Sequence, residues 1–255
     1  MNIYRVKFSK SELSKLPEDE QIFLFQMAHF LNEISMLHKC LVMSGNGLST
    51  SNEIERQGQV SLSIFFLRLL AGKLKEGWEM LQKDYFGSKL SRYYKKELTL
   101  SGRDSLKKLE QYFAGENVVS FIRNEFSFHY GKGKIKDGKG KFREVLKEVL
   151  SKAIDSEIFE MALSEEATSL YAFSDIMVHK AIFEYLEPSD IEKSLKKLMD
   201  EVVRDVSRWF IDFGNECLRV TVEKLNIEYT KAEIPDPPLL REMRLPYFVK
   251  DHRKK

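Results

Sequence analysis

From Ile191 to Val220 the apolar residues Ile191, Leu195, Leu198, Val202, Val206, Trp209, Phe213, Cys217 and Val220 recur at intervals of only three or four. A helix at 3.6 residues per turn gathers such a set on one side, whereas a strand, with its period of two, scatters it. A helix over residues 191–225 would be on the order of 50 Å long. A compact globule of this chain length measures about 45 Å across. The helix is therefore expected either to break near Gly214-Asn215 or to project and offer a surface for assembly.

The same spacing governs most of the chain. Between Glu18 and Met43 it picks out Ile22, Phe25, His29, Phe30, Glu33, Ile34, Leu37 and Leu41, with His29 expected as a core histidine; Ser44-Gly45-Asn46-Gly47 supplies the stop. A second long helix is expected from Glu53 to Tyr85, apolar on most faces between Leu62 and Leu74 and hence contacted from several sides. Gly72 and Gly77 each cost a helix about 1 kcal/mol relative to Ala, which close approach of a neighbour would offset. Capping patterns appear at Ser9/Glu12, at Ser101–Asp104 (a helix ending near Ala114-Gly115), at Asn117, at Ser164 and at Ser189/Glu192, with a further helix over residues 142–153. Arg92-Tyr93-Tyr94-Lys95-Lys96 mixes aromatics with bases and reads as a solvated connection or as an RNA contact. The expected fold class is all-α, a helical bundle.

Composition narrows function little. The 255 residues carry 41 basic and 39 acidic side chains, a formal charge of +2, so only a local basic patch can signal a polyanion. Six prolines, 13 glycines and 18 phenylalanines describe a globular chain. The N-terminus is charged throughout, unlike a secretory signal. The apolar run from Val60 to Leu74 contains Arg68 and Lys73 and is too short to span a bilayer. A cytoplasmic protein with no membrane partner is expected, with Cys40 and Cys217 as buried thiols. His38 and Cys40 lie two apart on a helix and point in different directions, so no metal site is expected there. His179 has no evident partner.

The segment richest in chemistry is NVVSFIRNEFSFHY, Asn117 to Tyr130. On a helix, Val119, Ile122, Arg123, Phe126, His129 and Tyr130 share a sector of roughly 120°, while Val118, Phe121, Asn124, Glu125 and Phe128 lie largely opposite. Both sides carry large apolar groups, so two covers are expected: the chain's own bundle and something else. A two-fold contact between identical chains would supply the second and bring two Arg–His sets together. The next residues, GKGKIKDGKGK, break the helical pattern; Lys132, Lys134, Lys136, Lys139 and Lys141 could hold phosphates or form a solvated turn.

Arg123-Asn124 followed by His129 resembles the Arg–(four to six residues)–His signature of the HEPN superfamily, in its common Arg-Asn form. RLLAGKLKEGWEML, Arg68 to Leu81, is similar to a segment of HEPN-like proteins linked to abortive infection. With the core resemblance spanning roughly Glu18 to Gly131, the chain divides into a short helical arm (1–17), a HEPN-like core (18–131), a basic loop (132–141), a helical extension (142–231) and a Pro-containing tail (232–255).

The resemblance implies a homodimeric endoribonuclease of phage defence or a toxin–antitoxin pair, with RNA as substrate, an antitoxin or defence protein as possible partner, and neither metal nor other cofactor. His129 would take or give the proton at the ribose or leaving oxygen, since imidazole titrates near pH 6.5 when unperturbed. Arg123 would present its planar fork to the phosphate, Asn124 would orient His129 or the phosphate, and Lys132, Lys134 and Lys136 would hold the backbone. Tyr130 directly follows His129, without the intervening residue of HEPN toxins silenced by nucleotide transfer; it could stack on a base or pack as a plain aromatic. Two alternatives remain: a non-catalytic HEPN-like module binding RNA, a nucleotide or a protein, and a helical scaffold assembled through its long final helix.

Overall fold

The computed structural model describes residues 1–127, 147, 151, 160–161, 169–186 and 190–249. The fold class is all-α. In order run β1 (Asn2–Arg5), α1 (Lys10–Leu13), α2 (Glu18–Gly45), α3 (Glu53–Met80) with a π-helical continuation (Leu81–Phe86), α4 (Leu90–Glu97), α5 (Leu100–Phe113), and α6 (Val118–Ile122) with a π turn (Arg123–Ser127). After the short β2 (Glu160–Met161) and β3 (Ser169–Leu170) come α7 (Ala172–Leu186), α8 (Ile191–Leu198), a π segment (Met199–Val206), α9 (Ser207–Lys224), β4 (Thr230–Glu233) and a 3₁₀ turn (Leu240–Glu242). Two compact units result. One gathers Met1–Met36, Lys73–Asn117 and Arg204–Pro238; the other Leu37–Gly72, Val118–Val203 and Leu239–Lys255.

The first unit closes around aromatic side chains. Tyr85, beyond the end of α3, meets Phe23 of α2 with ring centroids 5.5 Å apart and Phe213 of α9 edge-on at 5.3 Å. Phe30 and Phe210 meet at 5.0 Å, and Trp78 stacks on Phe113 at 4.8 Å. A Cβ on Gly77 would sit 2.4 Å from the Phe30 ring, so close approach is why this glycine interrupts α3. Below the rings, Glu20 is almost fully buried; Lys224 Nζ donates to it at 2.6 Å, as does the Tyr94 hydroxyl at 3.1 Å, and the same hydroxyl lies 2.8 Å from Thr221 Oγ1. β1 pairs antiparallel with β4, Asn2 opposite Glu233 and Arg5 opposite Thr230.

The structure corrects several local expectations here. Arg92–Lys96 belongs to a helix, α4, whose Tyr94 is fully buried while Tyr93 remains exposed. α5 opens at Thr99 rather than Ser101: Thr99 Oγ1 accepts from Gly102 N, and Glu216 Oε2 accepts from Thr99 N at 3.0 Å. His29 is no core residue; its side chain is 75% exposed, beside exposed Ile22 and Phe25. Of the expected stripe Phe30, Ile34 and Leu41 are buried, joined by Phe23, Leu24 and Met27 in place of Ile22, Phe25 and His29. The Ser9/Glu12 capping box is present as expected.

In the second unit the end of α2 and the start of α3 are tied to the tail. Gln59 Nε2 donates to Ser44 O (2.6 Å) and Leu245 O (2.7 Å), and Gln59 Oε1 accepts from Tyr247 N (3.2 Å). Asn46 Nδ2 donates to Leu240 O and Met243 O. The cap of α8 is Asp190, accepting from Lys193 N, rather than Ser189, which lies outside the described residues together with Ser164. Of the helix expected over 142–153, Lys147 and Ser151 are described, both helical.

The long final helix does not break at Gly214. It runs through α8, the π segment and α9 without interruption. Its buried positions include Ser194, Leu198, Val202, Val206, Ser207 and Phe210. Its middle, Met199–Val206, is closed by the wider i→i+5 bonds, and Leu195 of the expected stripe is exposed. Of the two thiols Cys217 is buried, whereas Cys40 is only half-buried.

Candidate functional site

α6 is short because its residues are asked to bury two sides. Val118, Val119, Phe121 and Ile122 are all buried, followed by Glu125 and Phe126. From Arg123 onward the backbone widens to a π turn. Phe121 stacks face to face on Tyr185 of α7, centroids 3.5 Å apart, and meets Phe126 edge-on at 5.5 Å. The side of the helix that carries Phe121 is thus covered by the same chain.

Arg123 and Asn124 occupy the first two positions of the π turn. Arg123 is half-buried and Asn124 exposed, and Arg123 Nη1 lies 3.4 Å from Asn124 Oδ1. The turn is held from α3: Arg68 Nε donates to the Phe126 carbonyl at 2.9 Å. Arg68 also bears on His179 of α7, which is buried. Burial pushes the His179 imidazole down to about 4, with Arg68 adding to the shift and Asp175 opposing it, so the ring is neutral near pH 7. His179 lines a cleft of about 160 Å³ with Gln57 and Ser61 of α3.

The chemistry available is that of a charged fork beside a neutral amide at the surface: donors suited to phosphate oxygens. Of the residues expected at the site, the structure brings Arg123 and Asn124 together. His129, Tyr130, Lys132, Lys134 and Lys136 lie outside the described residues. Among the described residues no group of His, Cys, Asp or Glu is placed to hold a metal ion, and His38 sits half-buried with Nε2 lacking a hydrogen-bond partner.

Sequence reasoning missed the roles of Arg68 and His179. Asp175 and His179 stand four apart on one helix, a spacing that marks them as neighbours. Nothing local marks Arg68 as the donor to a carbonyl 58 residues away. No helix among the described residues is long and apolar enough to cross a membrane. Comparison of the chain with family models, with curated proteins and with solved structures yields no match.

Proposed function

We propose that the chain is a metal-independent endoribonuclease of HEPN type, acting as a homodimer in phage defence or as a toxin. The observation that carries this reading is the pair Arg123-Asn124, side by side at the surface on a braced π turn, with His129 six positions after Arg123 in sequence. Widened turns of this kind recur at functional sites because they free backbone groups and re-aim side chains.

In this reading His129 accepts the proton of a ribose 2′-hydroxyl, whose oxygen attacks the adjacent phosphorus. The new O2′–P bond forms as the P–O5′ bond breaks. The 5′-oxygen leaves with a proton from the imidazolium of a second His129, giving a 2′,3′-cyclic phosphate and a 5′-hydroxyl. Arg123 neutralises the phosphoryl charge as it rises, and Asn124 donates from its amide to the same group. Lys132, Lys134 and Lys136 attract the RNA backbone, and Tyr130 stacks on a base.

The test compares wild type with His129→Ala and Arg123→Ala on mixed RNA in EDTA. Cleavage by the wild type, reduced by a factor on the order of 10²–10⁴ in His129→Ala, supports the assignment. Equal cleavage by all three, or none by the wild type on several RNAs, rejects it. RNA binding without cleavage then points to the non-catalytic module.

A further inference from the structure

The first unit holds an open groove of about 940 Å³ along the start of α4. It is lined by Lys89 and Arg92, by the rings of Phe86 and Tyr93, and by Lys224 and Glu20. We infer that this groove is a docking site for single-stranded RNA, separate from the residues Arg123 and Asn124. The inference rests on the reading of the chain as a ribonuclease.

Charge comes first. Lys89 and Arg92 are exposed, stand three apart at the start of α4, and neither forms an ion pair with a described residue. Both line a groove wide enough for a nucleotide. Against them stand Asp19 and Glu20. Glu20, however, is engaged from within by Lys224 Nζ and the Tyr94 hydroxyl, so it contributes little repulsion. Asp19 offsets one of the two exposed cations and the other remains, so the balance favours an anion.

The rings make that anion a nucleic acid. Tyr93 is 38% exposed although Tyr94, its neighbour, is fully buried. Lys224 Nζ lies 4.5 Å from the Tyr93 ring centroid, and Glu20 anchors Lys224 in turn, so the ring is held in place with part of its surface open. An ordered aromatic beside unpaired cations is how sequence-tolerant single-strand sites are built: bases stack on the ring while phosphates meet the charges. An acidic peptide would use the cations and leave the rings idle.

The experiment measures anisotropy of a labelled 12-nucleotide single-stranded RNA in a His129→Ala background, which keeps the RNA whole, between 50 and 200 mM KCl. The variants are Lys89→Ala/Arg92→Ala and Tyr93→Leu, with circular dichroism as the check on folding and Lys89→Gln as the milder substitute. Each variant is expected to bind roughly tenfold more weakly. The double variant should also lower the salt slope by about 1.4, the value for two phosphate contacts on a single strand. With His129 restored, KM for long RNA should rise while kcat stays constant. Unchanged affinity and slope in folded variants overturn the docking site, whatever the cleavage result. Groove-dependent RNA binding by a protein that never cleaves keeps the dock and rejects the ribonuclease. Groove-dependent binding of a polyglutamate peptide in preference to RNA overturns the inference in favour of an acidic partner.

Discussion

Arg68 Nε donates a 2.9 Å hydrogen bond to the carbonyl oxygen of Phe126, so α3 pins the π turn that begins with Arg123 and Asn124. A donor from another helix fixes the π turn where the α-helical alternative would place the same residues on another bearing. Arg68→Ala removes this charge-assisted hydrogen bond and should lower stability by about 1–3 kcal/mol in urea unfolding. RNA cleavage should fall with it. Retained cleavage in a destabilised Arg68→Ala protein would show that the turn does not set Arg123.

Gly77 and Gly45 should respond in opposite directions to alanine. At Gly77 the new methyl meets Phe30, which is itself packed on Phe210, so the ring has little room to retreat. Gly77→Ala should destabilise by about 1–3 kcal/mol despite the better helix propensity of Ala. A Cβ on Gly45 meets nothing within 4 Å, and Gly45→Ala should stabilise by about 0.4–1 kcal/mol. Thermal unfolding of the two variants beside wild type decides both.

The Glu20–Lys224 pair is asymmetric: Glu20 is buried and Lys224 partly exposed. Lys224→Met strands a buried carboxylate and should cost about 3 kcal/mol. Glu20→Gln/Lys224→Met should recover part of that loss, because the amide carries no charge to desolvate. A double-mutant cycle from denaturant midpoints measures the difference. Equal losses in the single and double variants would assign the stability to the Tyr94 and Thr221 hydroxyls instead.

Acid should weaken the fold before its carboxylates titrate. His179 is protonated near pH 6.5 in the unfolded chain but only near 4 in the folded one, because burial disfavours the cation. Between those values the unfolded state binds more protons, so stability is complete above pH 6.5 and declines as pH falls toward 4, by roughly 3 kcal/mol in all. His38, whose imidazole burial also pushes down, acts in the same direction. His179→Gln should flatten the denaturant midpoint between pH 6.5 and 4; an unchanged slope would assign the acid sensitivity elsewhere.

The helical class was legible because three-and-four spacing is a property of the chain alone, as were the Ser9 capping box and the close approach at Gly77. What escaped the sequence was tertiary. Thr99 rather than Ser101 caps α5 because Glu216, 117 residues away, accepts from its backbone N–H. His29 fell on an apolar row, yet the neighbours of α2 cover the adjacent face. The π segments leave no such mark: apolar residues mix steps of three and four at 118–126 and 191–210 as they do in the α-helical stretches. At the candidate site, the sequence placed Arg123 and Asn124 on opposite sectors, and neither their contact in the π turn, nor the brace from Arg68, nor the cover from Tyr185 could be read from it.

The aromatic cluster of the first unit has a consequence for synthesis on the ribosome. Phe23, Phe30 and Tyr85 emerge early, but Phe210 and Phe213, which close over them, are translated only after most of the chain. At ~5–20 residues per second the nascent polypeptide must carry those rings uncovered for on the order of ten seconds. A chaperone that shields apolar surface during that interval, or slower elongation at lower temperature, should therefore govern the yield of native protein more than any change to its finished core.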